Sequence, residues 1–227
     1  MEIIRLGNAL GAEIRGIDIA KAPSDGEIDA IRKAWHAHHI IVFRDIDWTP
    51  EEHMAFSRRF GELDDHAATP NDSLEGYPEL LEVTNIPKNG KPSPTRTAGR
   101  NWHSDYAYTN RPANSSMLYC TQKPSVGGDT MWANQYEALN RLSPAMRAML
   151  QPLRATHKGF EMEATHPVIR THPETGRQAL YVNHGFTSHF DGMTQEESLP
   201  LLNYLIDIAA SPDLTMRHSW SGIYFRK

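Results

Sequence analysis

Asn101-Trp102-His103-Ser104-Asp105-Tyr106-Ala107-Tyr108 sets a histidine and a carboxylate one residue apart, shortly before the apolar run Met117-Leu118-Tyr119-Cys120. Read as a strand, the stretch has a period-2 alternation that points both side chains to one face. An imidazole nitrogen and a monodentate carboxylate oxygen are two of the three protein ligands of the facial triad that holds non-haem Fe(II), whose other side stays open to substrate and oxygen. The third ligand then has to come from another segment. In a chain with 12 histidines such a triplet also arises by chance, and the alternative is a pair of solvated or hydrogen-bonded surface side chains.

Working outward, Gly127-Gly128-Asp129-Thr130 follows, then His172-Pro173-Glu174-Thr175-Gly176-Arg177 and Tyr181-Val182-Asn183. Together with Trp102-His103-Ser104-Asp105 these resemble, in the same order, the Trp-His-x-Asp, Gly-Gly-x-Thr and His-Pro-x-Thr-Gly-Arg segments of the taurine dioxygenase and chlorophenoxyacetate dioxygenase family of Fe(II)/2-oxoglutarate enzymes. The similarity extends to Leu6-Gly7 through Asp18 and to a helix ending at Phe60-Gly61, so it runs nearly end to end.

That resemblance implies a double-stranded β-helix, or jelly roll, in which His103 and Asp105 are the catalytic metal ligands. It implies Fe(II) as cofactor and 2-oxoglutarate as co-substrate, decarboxylated to succinate while O2 hydroxylates a small organic molecule of sulfonate or carboxylate type. Thr130 is similar to the family threonine that helps bind the distal carboxylate of 2-oxoglutarate. Without the family it is a β-branched residue suited to a strand. Tyr106, Tyr108, His66 and Phe186 are the substrate-binding candidates, with core packing as the ordinary alternative for the tyrosines. Arg177 is attractive as an anion binder, but its place in a hairpin turn favours a structural or exposed role.

The family pattern continues beyond a strand like Arg217-His218-Ser219-Trp220 with a second histidine ligand and an arginine that pairs with the 2-oxoglutarate carboxylate. Ser221 to Lys227 carry neither. The expectation is therefore a jelly roll whose C-terminal strands are missing and which binds Fe(II) and 2-oxoglutarate poorly. His184, His189 and His218 are the available substitutes for the second histidine. The competing expectation is a catalytically inactive remnant of the fold with a binding or structural role.

With 227 residues the chain suffices for one domain with a sizeable core, and residues 1–227 read as a single dioxygenase domain. The net charge of −5 and the lack of a Lys/Arg run argue against nucleic acid as a partner. No apolar run reaches the roughly 20 residues that span a bilayer, so no membrane segment is expected and the cytoplasm is the default location. The single cysteine, Cys120, reads as a small hydrophobe. An uncovered sheet edge would favour association, making a homo-oligomer an expectation.

The remaining pattern is mainly β with helical insertions. Short strands are expected near Ile3–Leu6, Glu13–Ile17, Ile40–Phe43, Leu80–Thr84, Ser115–Cys120, Asp129–Trp132, Leu153–Gly159, Val168–Thr171, Gln178–Asn183 and Leu214–Trp220. Helices should open at Ser24 or Asp25, at Thr49-Pro50, at Ser143-Pro144 and at Thr194, where Thr49/Glu52 and Thr194/Glu197 have capping-box spacing. Residues 85–100, with three prolines and no apolar period, read as a loop placed to act as an active-site lid, or as a plain connection.

Overall fold

The computed structural model describes residues 1–65, 73–87 and 90–221. Its described residues form twelve short strands and five α-helices. β1 (Glu2–Arg5) pairs antiparallel with β2 (Ala12–Arg15), and β3 (Ile41–Val42) adds parallel to β2, with Ala12 opposite Ile41. A parallel partner requires a crossover, and α1 (Asp25–His38) supplies it. Ser24 caps α1 in a reciprocal box with Glu27, and the apolar spacing of Ile28, Ile31 and Ala34 buries one face. α2 (Pro50–Ser57) opens with the expected box of Thr49 and Glu52. Ile14, Ile28, Ile31 and Phe56 form the core of this N-terminal layer.

The second layer is built on β7 (Arg154–Gly159), which lies between β8 (Met162–Pro167) and β11 (Thr187–Phe190). β9 (Ile169–Thr171) and β10 (Gln178–Leu180) make the expected hairpin, and Gly176 at its turn has φ +69°, a left-handed value that costs glycine nothing. α3 (Gln135–Arg141), α4 (Pro144–Leu150) and α5 (Gln195–Ala209) cover these strands, burying Leu150, Leu180, Phe190 and Leu205 almost completely. β6 (Thr130–Ala133) pairs antiparallel with β12 (Thr215–His218), so Thr130 stands opposite His218. β4 (Ser73–Leu74) and β5 (Tyr77–Leu81) form a small separate hairpin. The two layers meet at Asn134, whose amide caps α3 and donates to the Ala9 carbonyl at 2.6 Å.

Several expectations are corrected. Residues 101–108 are not a strand but a loop with a turn. Residues 115–120 form no ladder either. Side-chain bonds tie that stretch down instead, since the Tyr119 hydroxyl donates to the Ile46 carbonyl and accepts from Trp48 N–H. β8 and β11 were not anticipated, and α2 stops at Ser57 rather than running to Gly61. No helix among the described residues is long and apolar enough to cross a membrane.

Candidate functional site

The His103 loop brings its two polar side chains together by turning back on itself. Ala107 N–H bonds to the Ser104 carbonyl and Thr109 N–H to the Tyr106 carbonyl, and Tyr106 sits at φ +56° between them. The turn swings Asp105 around so that its Oδ1 lies 3.2 Å from His103 Nε2. The pairing expected from strand alternation is thus reached by a left-handed turn, an unusual conformation for a tyrosine.

Each member of the pair is held from behind. His103 Nδ1 lies 2.8 Å from the Asn101 carbonyl, which can only accept, so Nδ1 carries the proton and Nε2 presents its lone pair. The Ser116 hydroxyl donates to the other carboxylate oxygen of Asp105, Oδ2. This leaves Oδ1 beside the imidazole as one oxygen donor. When the imidazole is protonated, Nε2–H donates to Asp105 Oδ1, and this bond raises the His103 pKa above the ordinary imidazole value, against burial, which lowers it, while the Asn101 carbonyl adds to the rise; a metal at Nε2 would take the place of that proton. The carboxylate beside the imidazole thus favours positive charge at Nε2.

The backbone of the β10–β11 connection presses on the same loop. Gly185 N–H donates to the Trp102 carbonyl at 2.8 Å, and a Cβ at Gly185 would lie 3.0 Å from His103 Cβ and 3.2 Å from that carbonyl oxygen. Asn183 Oδ1 accepts from Phe186 N–H and so sets the next ring against the imidazole. Phe186 meets His103 edge-on at 5.8 Å and Tyr108 at 4.9 Å, while Tyr106 stacks on Tyr108 at 5.9 Å. Phe160 closes on Tyr108 at 5.3 Å. Sequence reasoning missed Phe160, because it follows β7 with no motif of its own.

Burial raises the Tyr106 and Tyr108 pKa values, that of Tyr108 to about 12, with the Asp64 and Asp105 charges adding to both. Both phenols are therefore neutral donors across the physiological range. Tyr106 donates to Asp64 Oδ1 at 3.1 Å. Gly159 gives this wall its closeness, since a Cβ there would lie 2.6 Å from the Tyr108 ring.

Tyr106, Tyr108 and Phe186 thus gather beside His103 and Asp105. Thr130 stands at the head of β6, and its described hydrogen bond is to Trp220 rather than to the His103 loop. His66 lies outside the described residues. Arg177 stacks its guanidinium over the Tyr136 ring at 4.0 Å, the structural role expected of it. Among the described residues no group of three His, Cys, Asp or Glu side chains converges, so His184, His189 and His218 do not join the pair. His189 instead meets Ser188, and His218 is buried between Trp132 and Trp220.

The chemistry of the donors suits a divalent first-row metal, since a neutral imidazole and one carboxylate oxygen share a side. Comparison with known proteins points the same way. The chain is 28% identical over 250 residues to the (S)-phenoxypropionate/α-ketoglutarate dioxygenase of Sphingobium herbicidovorans, covering 97% of this chain and 83% of that protein. The crystal structure of a taurine dioxygenase from Burkholderia xenovorans superposes with a TM-score of 0.84 at 32% identity, over 97% of this chain and 76% of that one. That of AAD-2 in complex with Mn(II) and N-oxalylglycine gives a TM-score of 0.89 at 26% identity, over 97% and 86% of the two chains. These neighbours identify the short ladders as those of the expected jelly roll. Residues 2–222 match the family described as taurine catabolism dioxygenase TauD, TfdA family, and the chain belongs to that family of α-ketoglutarate-dependent dioxygenases.

Proposed function

We propose that the chain hydroxylates a small sulfonate- or carboxylate-like organic molecule, with His103 and Asp105 binding Fe(II) and Thr130 taking the distal carboxylate of 2-oxoglutarate (α-ketoglutarate). The observation that carries the proposal is the 3.2 Å separation of His103 Nε2 and Asp105 Oδ1, with Nδ1 committed to the Asn101 carbonyl. Two ligands on adjacent corners of an octahedron with bonds of about 2.1 Å lie about 3 Å apart. The pair is therefore set for an ion with little rearrangement.

Bound iron with 2-oxoglutarate and O2 supplies the oxidation, coupled to release of succinate and carbon dioxide. The chain's own residues supply placement. Asn101 fixes the tautomer that leaves Nε2 available, and Ser116 occupies the second oxygen of Asp105 so that the carboxylate binds through one. Tyr108, Phe160 and Phe186 form an apolar wall beside the pair, suited to the carbon skeleton of a substrate. The relatives named for phenoxypropionate and taurine point to a substrate with an anionic group on a small skeleton. The 85–100 segment is a candidate lid, anchored where the Thr95 hydroxyl donates to the Glu82 carbonyl at 2.9 Å.

A non-catalytic binding role is the second reading, favoured by the lack, among the described residues, of a third ligand beside the pair. Succinate release and oxygen uptake, measured with Fe(II), 2-oxoglutarate and a panel of sulfonates and aryloxyalkanoates, separate the two. Substrate-stimulated succinate that disappears in both H103A and D105A is the expected result. Metal binding by the wild type without succinate on any substrate establishes the second reading. Equal Mn(II) affinity in wild type and H103A overturns the site itself.

A further inference from the structure

We infer that Trp220 is a positioning residue that orients the Thr130 hydroxyl toward a carboxylate ligand. The inference rests on the assignment of Thr130 to the 2-oxoglutarate carboxylate proposed above. In the β6–β12 ladder Thr130 stands directly opposite His218. Trp220 lies two positions beyond His218, so it occupies the diagonal place on the same face, within reach of a long side chain. It uses that reach, and its indole Nε1–H donates to Thr130 Oγ1 at 2.9 Å.

The direction of this bond matters because an indole nitrogen can only donate. The threonine oxygen must accept, and its own proton is then left to be given to something else. Among the described residues that oxygen has no other hydrogen bond. A hydroxyl that could either accept or donate is thereby biased to donate, as recognition of a carboxylate oxygen requires. The indole is itself held in place, since the His218 ring meets it edge-on at 4.8 Å and His218 is buried at 5% exposure between Trp220 and Trp132. Desolvation lowers the His218 pKa, so no imidazolium charge competes at this spot.

The test uses the full chain with Mn(II) and reads 2-oxoglutarate affinity by calorimetry for wild type, W220F, T130V and the double variant. W220F keeps the aromatic bulk and removes the donor. The expected result is an affinity weaker by about three- to tenfold in W220F, the loss of one hydrogen bond's worth of orientation. The double variant should bind no worse than T130V, because the indole acts only through the hydroxyl. In the ligand-free protein the Trp220 indole proton should shift upfield in T130V by NMR, a readout independent of binding. Unchanged affinity in W220F beside weakened binding in T130V overturns the inference alone, as does an unmoved indole resonance. Wild-type affinity in T130V, or no binding by the wild type, overturns the Thr130 assignment and the inference with it.

Discussion

Gly185 controls the His103 pair from outside the motif. The atoms its missing side chain would meet are a backbone carbonyl and a Cβ, neither of which can swing aside. G185A should therefore push the Trp102–His103 backbone away by several tenths of an ångström. We expect Mn(II) affinity to fall about tenfold or more, as when a supporting contact of a metal ligand is lost, and stability to fall by about 1–3 kcal/mol through overpacking. Metal titration beside a urea melt checks both. Ser116 acts on the other ligand. S116A leaves Asp105 Oδ2 without its hydroxyl donor, and Mn(II) affinity should drop by about tenfold, with thermal stability little changed because the site is exposed. The sequence displays His103 and Asp105 through their spacing, but their geometry was misread because alternation on a strand and a turn at Tyr106 both bring i and i+2 together. Gly185, Ser116 and Phe160 were not legible, since their partners are remote along the chain and nothing local marks them.

Helix starts were the most legible elements. Capping is a contract between residues three apart, and Thr49/Glu52 and Thr194/Glu197 form it as read, while at the first helix Ser24 is the cap and its reciprocal partner Glu27 was not singled out. Strands were legible only where a ladder partner happened to coincide with an apolar run. Residues 115–120 have the run without a partner, whereas β8, Met162–Pro167, has a partner in β7 although its sequence is polar and alternates with buried His166 and Ala164. Asn134 shows what a cap contributes when it also spans layers. Its Oδ1 accepts from Tyr136 and Glu137 N–H at 3.1 Å each, and its Nδ2 reaches Ala9. N134A should lower unfolding free energy by about 2–3 kcal/mol, a cap plus a buried bond left unmade. N134D keeps the cap but sets an acceptor against the Ala9 carbonyl, so it should recover only part of the loss in a denaturant melt.

Across the whole molecule, the fold was legible through the order of its motifs rather than through strand counting, because ladders of two to six residues carry little pattern of their own. What no motif announced is how many imidazoles the fold takes out of water. His157 is fully buried on β7, packed against His166 and Tyr181 at 5.5 and 5.4 Å, with Nδ1 3.2 Å from the Thr187 hydroxyl. Burial, then the neighbouring His166 and Arg170 charges, pushes its pKa down to about 4. His39 falls to about 4 as well, through burial first and Arg177 second. A depressed imidazole binds its proton later in the folded state than in the unfolded one. The stability is therefore complete above the unfolded value near 6.5 and is lost progressively as pH falls toward 4. For His157 alone the loss approaches about 3 kcal/mol by pH 4. Urea midpoints measured at steps from pH 7.5 to 4.5 should fall steeply below 6.5, and H157Q, though less stable at neutral pH, should show a shallower decline over that window. A parallel pair of curves would place the acid sensitivity on other groups.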